Sequence, residues 1–352
     1  MTKKRVTIQD VAAAVGVSRQ TVSRVINSKG DVAEETRQRV LKVIDSLGYR
    51  PNLAARGLTN HRTHTMGLVI PYTPDYFFYD PHLMAFMCGV DQVAIQRDYN
   101  LLLSTAPQDP SDPRGSQSEL LAYERLVQAG YVDGVVVVEL LSSRRGIQLL
   151  EEYEIPWVAL GYGVGTDPTR AVHADDRGGA RQAMLYLLGL GHERIGIISH
   201  HGQSLTAIEE RLDGCRQALA DHRLEIDPEL IVSGDLTLES GIEATEQLLS
   251  SAGPPTAIFA LNDRMALGAL QCLQSHGRRV PEEVSVVGFD DVPIARIYHP
   301  ALTTVRQPSL EMGHQAARLL FDFIENQAVL SQPMILPTEL IVRASTGPAP
   351  AE

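Results

Sequence analysis

The chain has 352 residues, 44% of them hydrophobic, so it exceeds one ordinary domain and can bury more than one core. Its three cysteines, Cys88, Cys215 and Cys272, are odd in number and stand far apart without CxxC spacing, so neither a disulfide framework nor a zinc site is indicated, which suits a reducing cytoplasm. The net charge of −12 is divided: residues 1–62 carry 12 Lys+Arg against 5 Asp+Glu, a net of +7, and the remainder carries 19 against 38, a net of −19. A basic head on an acidic body implies that a nucleic acid is met through the head alone, with a steep salt dependence.

In chain order, the start, Met1-Thr-Lys-Lys-Arg5, is charged and leads into no apolar h-region, and no stretch approaches about 18 apolar residues. The expectation is a protein neither exported nor membrane-spanning. Ile8, Val11, Ala12 and Val15 then recur at helical spacing, with Thr7 and Asp10 forming a capping box at the start. Gly16 permits a sharp turn, and Ser18 caps a second helix whose apolar face is Val22, Val25 and Ile26. This is a helix-turn-helix pattern. Its second helix leaves Arg19, Gln20, Ser23 and Arg24 on the opposite side. Arg can bond guanine O6 and N7 with both arms, and Gln can bond adenine N6 and N7. The bland alternative is a solvated charged face.

A third helix is expected over about residues 33–47, with Val40, Val43, Ile44 and Leu47 packed on the first two and Gly48 as its stop. Ala33 stands where a capping side chain belongs, a deficit of about 0.5 to 2 kcal/mol. Pro51 begins a new element, and Asn52 to Leu58 could form two helical turns. Isolated helices below about 12 residues are marginal, so this peptide folds only when held; the alternative is a plain linker.

From Met66 onward the texture becomes alternating strands and helices. Apolar β-rich runs lie at 66–70, 101–104, 134–138, 156–160, 195–199, 256–261 and 284–289, and amphipathic segments at 120–128, 180–190, 212–219, 242–249 and 264–275. The βαβ pattern implies parallel sheets covered by helices, an α/β body. About 280 residues are too many for one sheet, so two lobes are expected, with the break after Gly161-Tyr-Gly163. Ligands of open parallel sheets sit at the carboxyl ends of strands, which puts a pocket in the cleft. Asn262-Asp263 and Asp290-Asp291 follow strands, and Tyr72, Tyr76 and Phe77 follow the first. Aromatic faces with nearby carboxylates and amides suit sugar rings. Helix capping and lobe packing are the ordinary roles of the same residues.

These residues resemble a bacterial transcription regulator of the lactose-repressor type, the LacI/GalR family. The match runs from Val6 to about Ser345 and is most specific at Asp10-Val-Ala, Gly16-Val-Ser-Arg-Gln-Thr-Val-Ser-Arg-Val-Ile-Asn27, Leu47-Gly-Tyr-Arg-Pro-Asn52 and Ala55-Arg-Gly-Leu58. In the body it is carried by Asp175-Asp-Arg-Gly-Gly179, Gly191-His-Glu-Arg-Ile195, Arg211-Leu-Asp-Gly214, Asn262-Asp-Arg-Met-Ala-Leu-Gly268, Val286-Val-Gly-Phe-Asp-Asp291 and Leu302-Thr-Thr-Val-Arg-Gln307.

The resemblance implies a helix-turn-helix head over 1–48, a hinge helix and linker over 49–62, and a periplasmic-binding-protein-like body over 63–352. The N-lobe would hold about 63–162 and 308–337, the C-lobe about 163–307 and 338–347, with crossings near Tyr162, Gln307 and Thr338. It implies a homodimer, possible as a tetramer, on a pseudo-palindromic double-stranded operator, with a small effector between the lobes and no cofactor or metal. Arg19, Gln20 and Arg24 would read the major groove, with Thr7, Ser18, Thr21, Ser23 and Asn27 as the remaining head contacts. Asn52, Ala55, Arg56 and Leu58 would form the hinge in the minor groove, Leu58 as the wedge, and the two heads would read half-sites about one helical turn apart. Effector contacts would fall to Arg211, Asn262, Asp290 and Gln307.

Two departures bear on the effector. Gly161 replaces an acidic residue used by several sugar-binding members, and Leu236 stands where many place a stacking aromatic, so stacking falls to Tyr72, Tyr76, Phe77 or Tyr162. A nucleobase or a phosphorylated partner protein is the alternative signal to a sugar. An enzyme built on Asp290-Asp291 and His192, His200 or His201 is a remote reading, because no nucleophile or metal-spaced motif accompanies them.

Overall fold

The computed structural model describes residues 6–26, 32–49, 62–70, 77–107, 116–128, 130–138, 144–161, 167–200, 206–326 and 332–351. The chain divides into two compact units, Met1–His64 and Thr65–Glu352.

In the first unit, α1 (Ile8–Val15), α2 (Arg19–Ile26) and α3 (Glu34–Leu47) enclose a core of Val11, Ala12, Val15, Val22, Val25 and Val40. The capping box forms: Thr7 Oγ1 accepts from the Asp10 N–H at 3.3 Å, and the Asp10 carboxylate accepts from the Thr7 N–H at 2.8 Å. Gly16, at φ 77°, ends α1 in the left-handed conformation that glycine adopts without steric cost. Ser18 Oγ accepts from the Thr21 N–H at 3.0 Å, and the Arg39 guanidinium donates to the Val15 carbonyl at 2.7 Å, tying α3 to the turn. Ala33 makes no side-chain cap. One expectation fails: Leu47 is an exposed hydrophobic rather than a core residue. With 14 residues α3 is nearly twice as long as the eight-residue α1 and α2, so its last turn overhangs their packing surface.

The second unit holds two six-stranded sheets. The N-lobe sheet comprises β1 (Thr65–Ile70), β2 (Asn100–Thr105), β3 (Gly134–Val138), β4 (Trp157–Leu160), β5 (Ala171–Ala174) and β11 (Met334–Leu336), in the order β11-β5-β4-β3-β1-β2 and parallel throughout. Helices α4 (Pro81–Gln96) and α11 (Ser309–Asn326) pack on one core, whereas α5 (Ser116–Val127) and α6 (Arg145–Glu152) pack on another. Gly89 and Gly313 let α4 and α11 cross in contact: a side-chain carbon at Gly89 would overlap the Leu310 carbonyl oxygen, and one at Gly313 the Phe86 carbonyl oxygen.

The C-lobe sheet comprises β6 (Ile195–His200), β7 (Ile231–Gly234), β8 (Ala257–Ala260), β9 (Ser285–Asp290), β10 (Thr303–Arg306) and β12 (Glu339–Ile341), in the order β12-β10-β9-β8-β6-β7. Only β12 runs antiparallel, against β10. Helices α7 (Asp176–Gly189), α8 (Thr206–Asp221), α9 (Leu238–Leu249) and α10 (Asp263–Ser275) cover it around one continuous core.

The first passage between lobes departs from expectation. Gly161, at φ 94°, donates its N–H to the Val172 carbonyl, and β5 pairs with β4 through Ala159↔Ala171, so the chain stays in the N-lobe sheet past Tyr162. It leaves at Ala174–Asp175, where Asp175 caps α7. The other passages lie between β10 and α11, at Gln307 and Pro308, and between β11 and β12, at Pro337 and Thr338. The seam between lobes therefore gathers residues at the carboxyl ends of strands.

Candidate functional site

On the head, burial of Val22 and Val25 turns the other face of α2 outward, and Ser18, Arg19, Gln20 and Arg24 are exposed there while Thr21 and Ser23 are half-buried. Thr7 is exposed, with its hydroxyl 2.7 Å from an Asp10 carboxylate oxygen, so its first role is to start α1. Asn27 and the hinge residues Asn52, Ala55, Arg56 and Leu58 lie outside the described residues, as do Tyr72, Tyr76 and Tyr162 of the body.

In the body, Arg211 on α8 is buried, and its Nε donates to Asp176 Oδ1 at 2.7 Å, an ion pair between side chains 7% and 6% exposed. One terminal nitrogen donates to the Leu261 carbonyl at 2.5 Å and lies 3.8 Å from Asp290 Oδ1. The guanidinium stacks 3.8 Å above the Phe289 ring. Gln307 Nε2 donates to Asp290 Oδ1 at 2.7 Å. Arg211, Asp290 and Gln307 are thus brought together at the seam.

Asn262 is spent differently. Its Oδ1 caps α10 by accepting from the Met265 N–H at 2.9 Å, and its Nδ2 donates to the Leu236 carbonyl at 3.0 Å. Phe77 is not a stacking surface: it is 0% exposed and belongs to the N-lobe core with Met66, Leu68 and Phe86. Its neighbours Phe78 and Tyr79, at 56% and 76% exposure, are the aromatic faces that remain outside. The run from Tyr76 to Tyr79 offers four aromatic side chains in succession, and only packing decides which of them turns inward.

Several residues of the seam carry no signal in the sequence pattern. His82, near the start of α4, places Nε2 3.3 Å from Gln307 Nε2 and Nδ1 2.7 Å from Ser309 Oγ. Asp80 caps α4 through the His82 and Leu83 N–H groups and lies 3.8 Å from Arg264, so C-lobe and N-lobe are also joined by an ion pair. The Asp80-Pro81 pair is a cap followed by a first-turn proline, a usable sign of the helix start but not of the contacts at its end.

The titration behaviour follows from burial. Burial pushes Asp290 up to about 6, against the pull of Arg211 and the Gln307 hydrogen bond. Asp263 is raised well above the usual carboxylate range by burial and by Asp290, although Thr304 Oγ1 at 2.5 Å and the Val292 N–H at 2.8 Å both donate to it. Burial lowers His82 to about 4, outweighing Asp80, so the imidazole is neutral at pH 7. Asp290 and Asp291 occupy φ 118° and 58°, a region costly for residues with a Cβ. Asp291 is held by Arg306 at 2.7 Å and Arg343 at 2.5 Å, which keeps this turn formed. A cavity of about 420 Å³ opens here, lined by Pro81, His82, Asp290, Arg306, Gln307 and Ser309 among others. Among the described residues no group of three His, Cys, Asp or Glu side chains could hold a metal ion, and no helix is long and apolar enough to cross a membrane.

A helix-turn-helix unit joined to a two-sheet body of this topology defines a DNA-binding transcriptional regulator. Residues 7–52 match the family of bacterial regulatory proteins of the lacI type, and residues 184–346 match the periplasmic binding protein-like domain. The chain is 38% identical over 348 residues to the transcriptional regulator CelR of Thermobifida fusca, covering 97% of this chain and 99% of the relative. It is 32% identical over 340 residues to the transcriptional repressor PurR of Histophilus somni, covering 96% and 98%. The chain belongs to the lacI family. Among solved structures, the CelR–cellobiose complex matches at 37% identity and a TM-score of 0.73, covering 97% of this chain and 100% of that one. The lac repressor dimer bound to operator and the anti-inducer ONPF matches at 28% identity and a TM-score of 0.86, covering 98% and 100%.

Proposed function

We propose that this regulator is a repressor whose grip on a pseudo-palindromic operator is set by a sugar, cellobiose being the first candidate, bound between the lobes. The observation that carries the reading is the cavity at the seam, where Asp290 and Gln307 present polar groups suited to ring hydroxyls and Arg211 is buried behind Asp290, in a chain similar to CelR, whose complex with cellobiose is known. The repressor sign rests on relatives such as PurR and the lac repressor, both named as repressors. The protein acts as a homodimer in the cytoplasm and turns over no substrate. Arg19, Gln20 and Arg24 read the major groove, while Asn52, Ala55 and Leu58 enter the minor groove.

The effector works by binding two lobe arrangements unequally, with typical coupling of about 1 to 3 kcal/mol, so that the two hinges together can or cannot engage DNA. The test is a titration of cellobiose, and of other mono- and oligosaccharides, sugar phosphates and nucleobases, with and without operator. A change in effector affinity on adding operator, with the matching change in operator affinity, is expected. Equal affinities would sink the coupling, and a response to nucleobases alone would sink the sugar.

A further inference from the structure

Gln307 stands where the chain returns to the N-lobe, and its amide is engaged from both lobes. The nitrogen lies 2.7 Å from Asp290 Oδ1 and 3.3 Å from His82 Nε2. An amide nitrogen has two N–H groups and accepts nothing, so one hydrogen goes to the carboxylate and the other to the imidazole. His82 must then present a lone pair at Nε2, which puts its proton on Nδ1. That N–H points at Ser309 Oγ, 2.7 Å away, and the serine hydroxyl is left to donate toward the Gln307 backbone carbonyl at 3.5 Å. Each donor meets an acceptor in only this direction.

The charges around His82 are Asp80 at the cap of its helix, Asp176 and Arg211 from the C-lobe, and Asp290 through Gln307. Neutrality of the imidazole is what the direction requires, because a proton on Nε2 would confront the Gln307 N–H. Nearby cations are already engaged: Arg211 with Asp176 and the Leu261 carbonyl, Arg264 with Asp80, and Arg306 with Asp291 and Glu339.

We propose that His82 is a positioning residue for effector recognition: it turns the Gln307 amide so that Oε1, not Nε2, is offered to the cavity, which selects a hydrogen-bond donor, a hydroxyl or ammonium, over a phosphate or carboxylate. The inference rests on the small-effector reading of the same cavity. Gln307 lines that cavity, and with Nε2 engaged by Asp290 and His82 its Oε1 is the side-chain atom left to meet a ligand.

The experiment uses the full-length protein and cellobiose as probe. Calorimetric titrations compare wild type with His82→Phe, which preserves ring packing against Phe86 at 4.4 Å but removes the acceptor, and His82→Gln, which can accept from Gln307 and donate to Ser309. Loss of one oriented hydrogen bond is expected to weaken binding about tenfold in His82→Phe, with His82→Gln restoring it to within about threefold of wild type. Equal binding by wild type and His82→Phe overturns the proposal, as does equal weakness of both variants, which would mark a packing role only. A ¹⁵N-histidine spectrum of the protein without effector, assigned with His82→Gln, reads the tautomer independently of any sugar. If wild type binds no cellobiose, the cellobiose reading fails and this spectrum decides: a neutral Nδ1–H form supports the positioning role, and an Nε2–H form or an imidazolium overturns it.

Discussion

Asp176→Ala isolates the most deeply buried ion pair of the body. Arg211 would keep the Leu261 carbonyl at 2.5 Å but lose its 2.7 Å carboxylate, leaving Asp290, 3.8 Å away, as the nearest anion. Stranding one member of a buried pair costs about 3–5 kcal/mol. Asp290 can move in and take up part of the charge, which sets the expectation at the lower end, about 3 kcal/mol, or roughly 6 °C in the melting midpoint of a body this large. The same change removes a like charge from Asp290 and frees Arg211 to pair with it, so the Asp290 carboxyl falls from about 6 toward the ordinary range. Thermal unfolding at pH 7.5 of wild type, Asp176→Ala and the double variant Asp176→Leu/Arg211→Met provides the assay. The double variant removes both members of the pair, although Asp290 loses the neighbouring guanidinium and the Leu261 carbonyl its donor, so it should recover part of the loss. A single-variant loss below about 1 kcal/mol, or a double variant as unstable as the single one, would refute the reasoning.

Gly89→Val pushes side-chain atoms into the Leu310 carbonyl at the α4–α11 crossing, where backbone cannot yield; a loss of about 2–3 kcal/mol is expected in denaturant unfolding, and a neutral result would deny the close contact. His192 is buried between Thr256 Oγ1 at 3.0 Å, Ser285 Oγ at 3.1 Å and the Gly347 carbonyl at 3.0 Å, and burial lowers its pKa from 6.5. The unfolded chain therefore takes up a proton that the folded one resists, so the stability from this group is complete above pH 6.5 and declines as the pH falls below it. Between pH 7.5 and 5 the midpoint of wild type should drop more steeply than that of His192→Gln, and parallel curves would contradict this. Thr7→Ala removes the capping box of α1 and should cost the head about 1 kcal/mol, read as faster amide exchange in α1 with the body unchanged.

What the sequence by itself determined is local or strongly periodic. The capping box of Thr7 and Asp10, the turn at Gly16 and the stop at Gly48 act within one helical turn, so they are legible without the rest of the chain. The central strands are legible because strands buried on both faces read as unbroken apolar runs, as Val135 to Val138 do. Strands β5, β7, β10 and β12 are three or four residues long and broken by polar residues or glycine, unlike the equally short but wholly apolar β4 and β8, and β11 has only three residues; β5 alone moves the first lobe crossing from Tyr162 to Ala174. Arg211, Asp290 and Gln307 could be singled out as polar residues of a familiar pattern, but their mutual distances could not. Only the tertiary structure decided that Phe77 is core, that Asn262 is spent on a helix cap, and that His82 meets Gln307 and Ser309, 225 and 227 residues away. Such contacts arise from the pairing of strands that are remote along the chain, and no sequence window contains both partners.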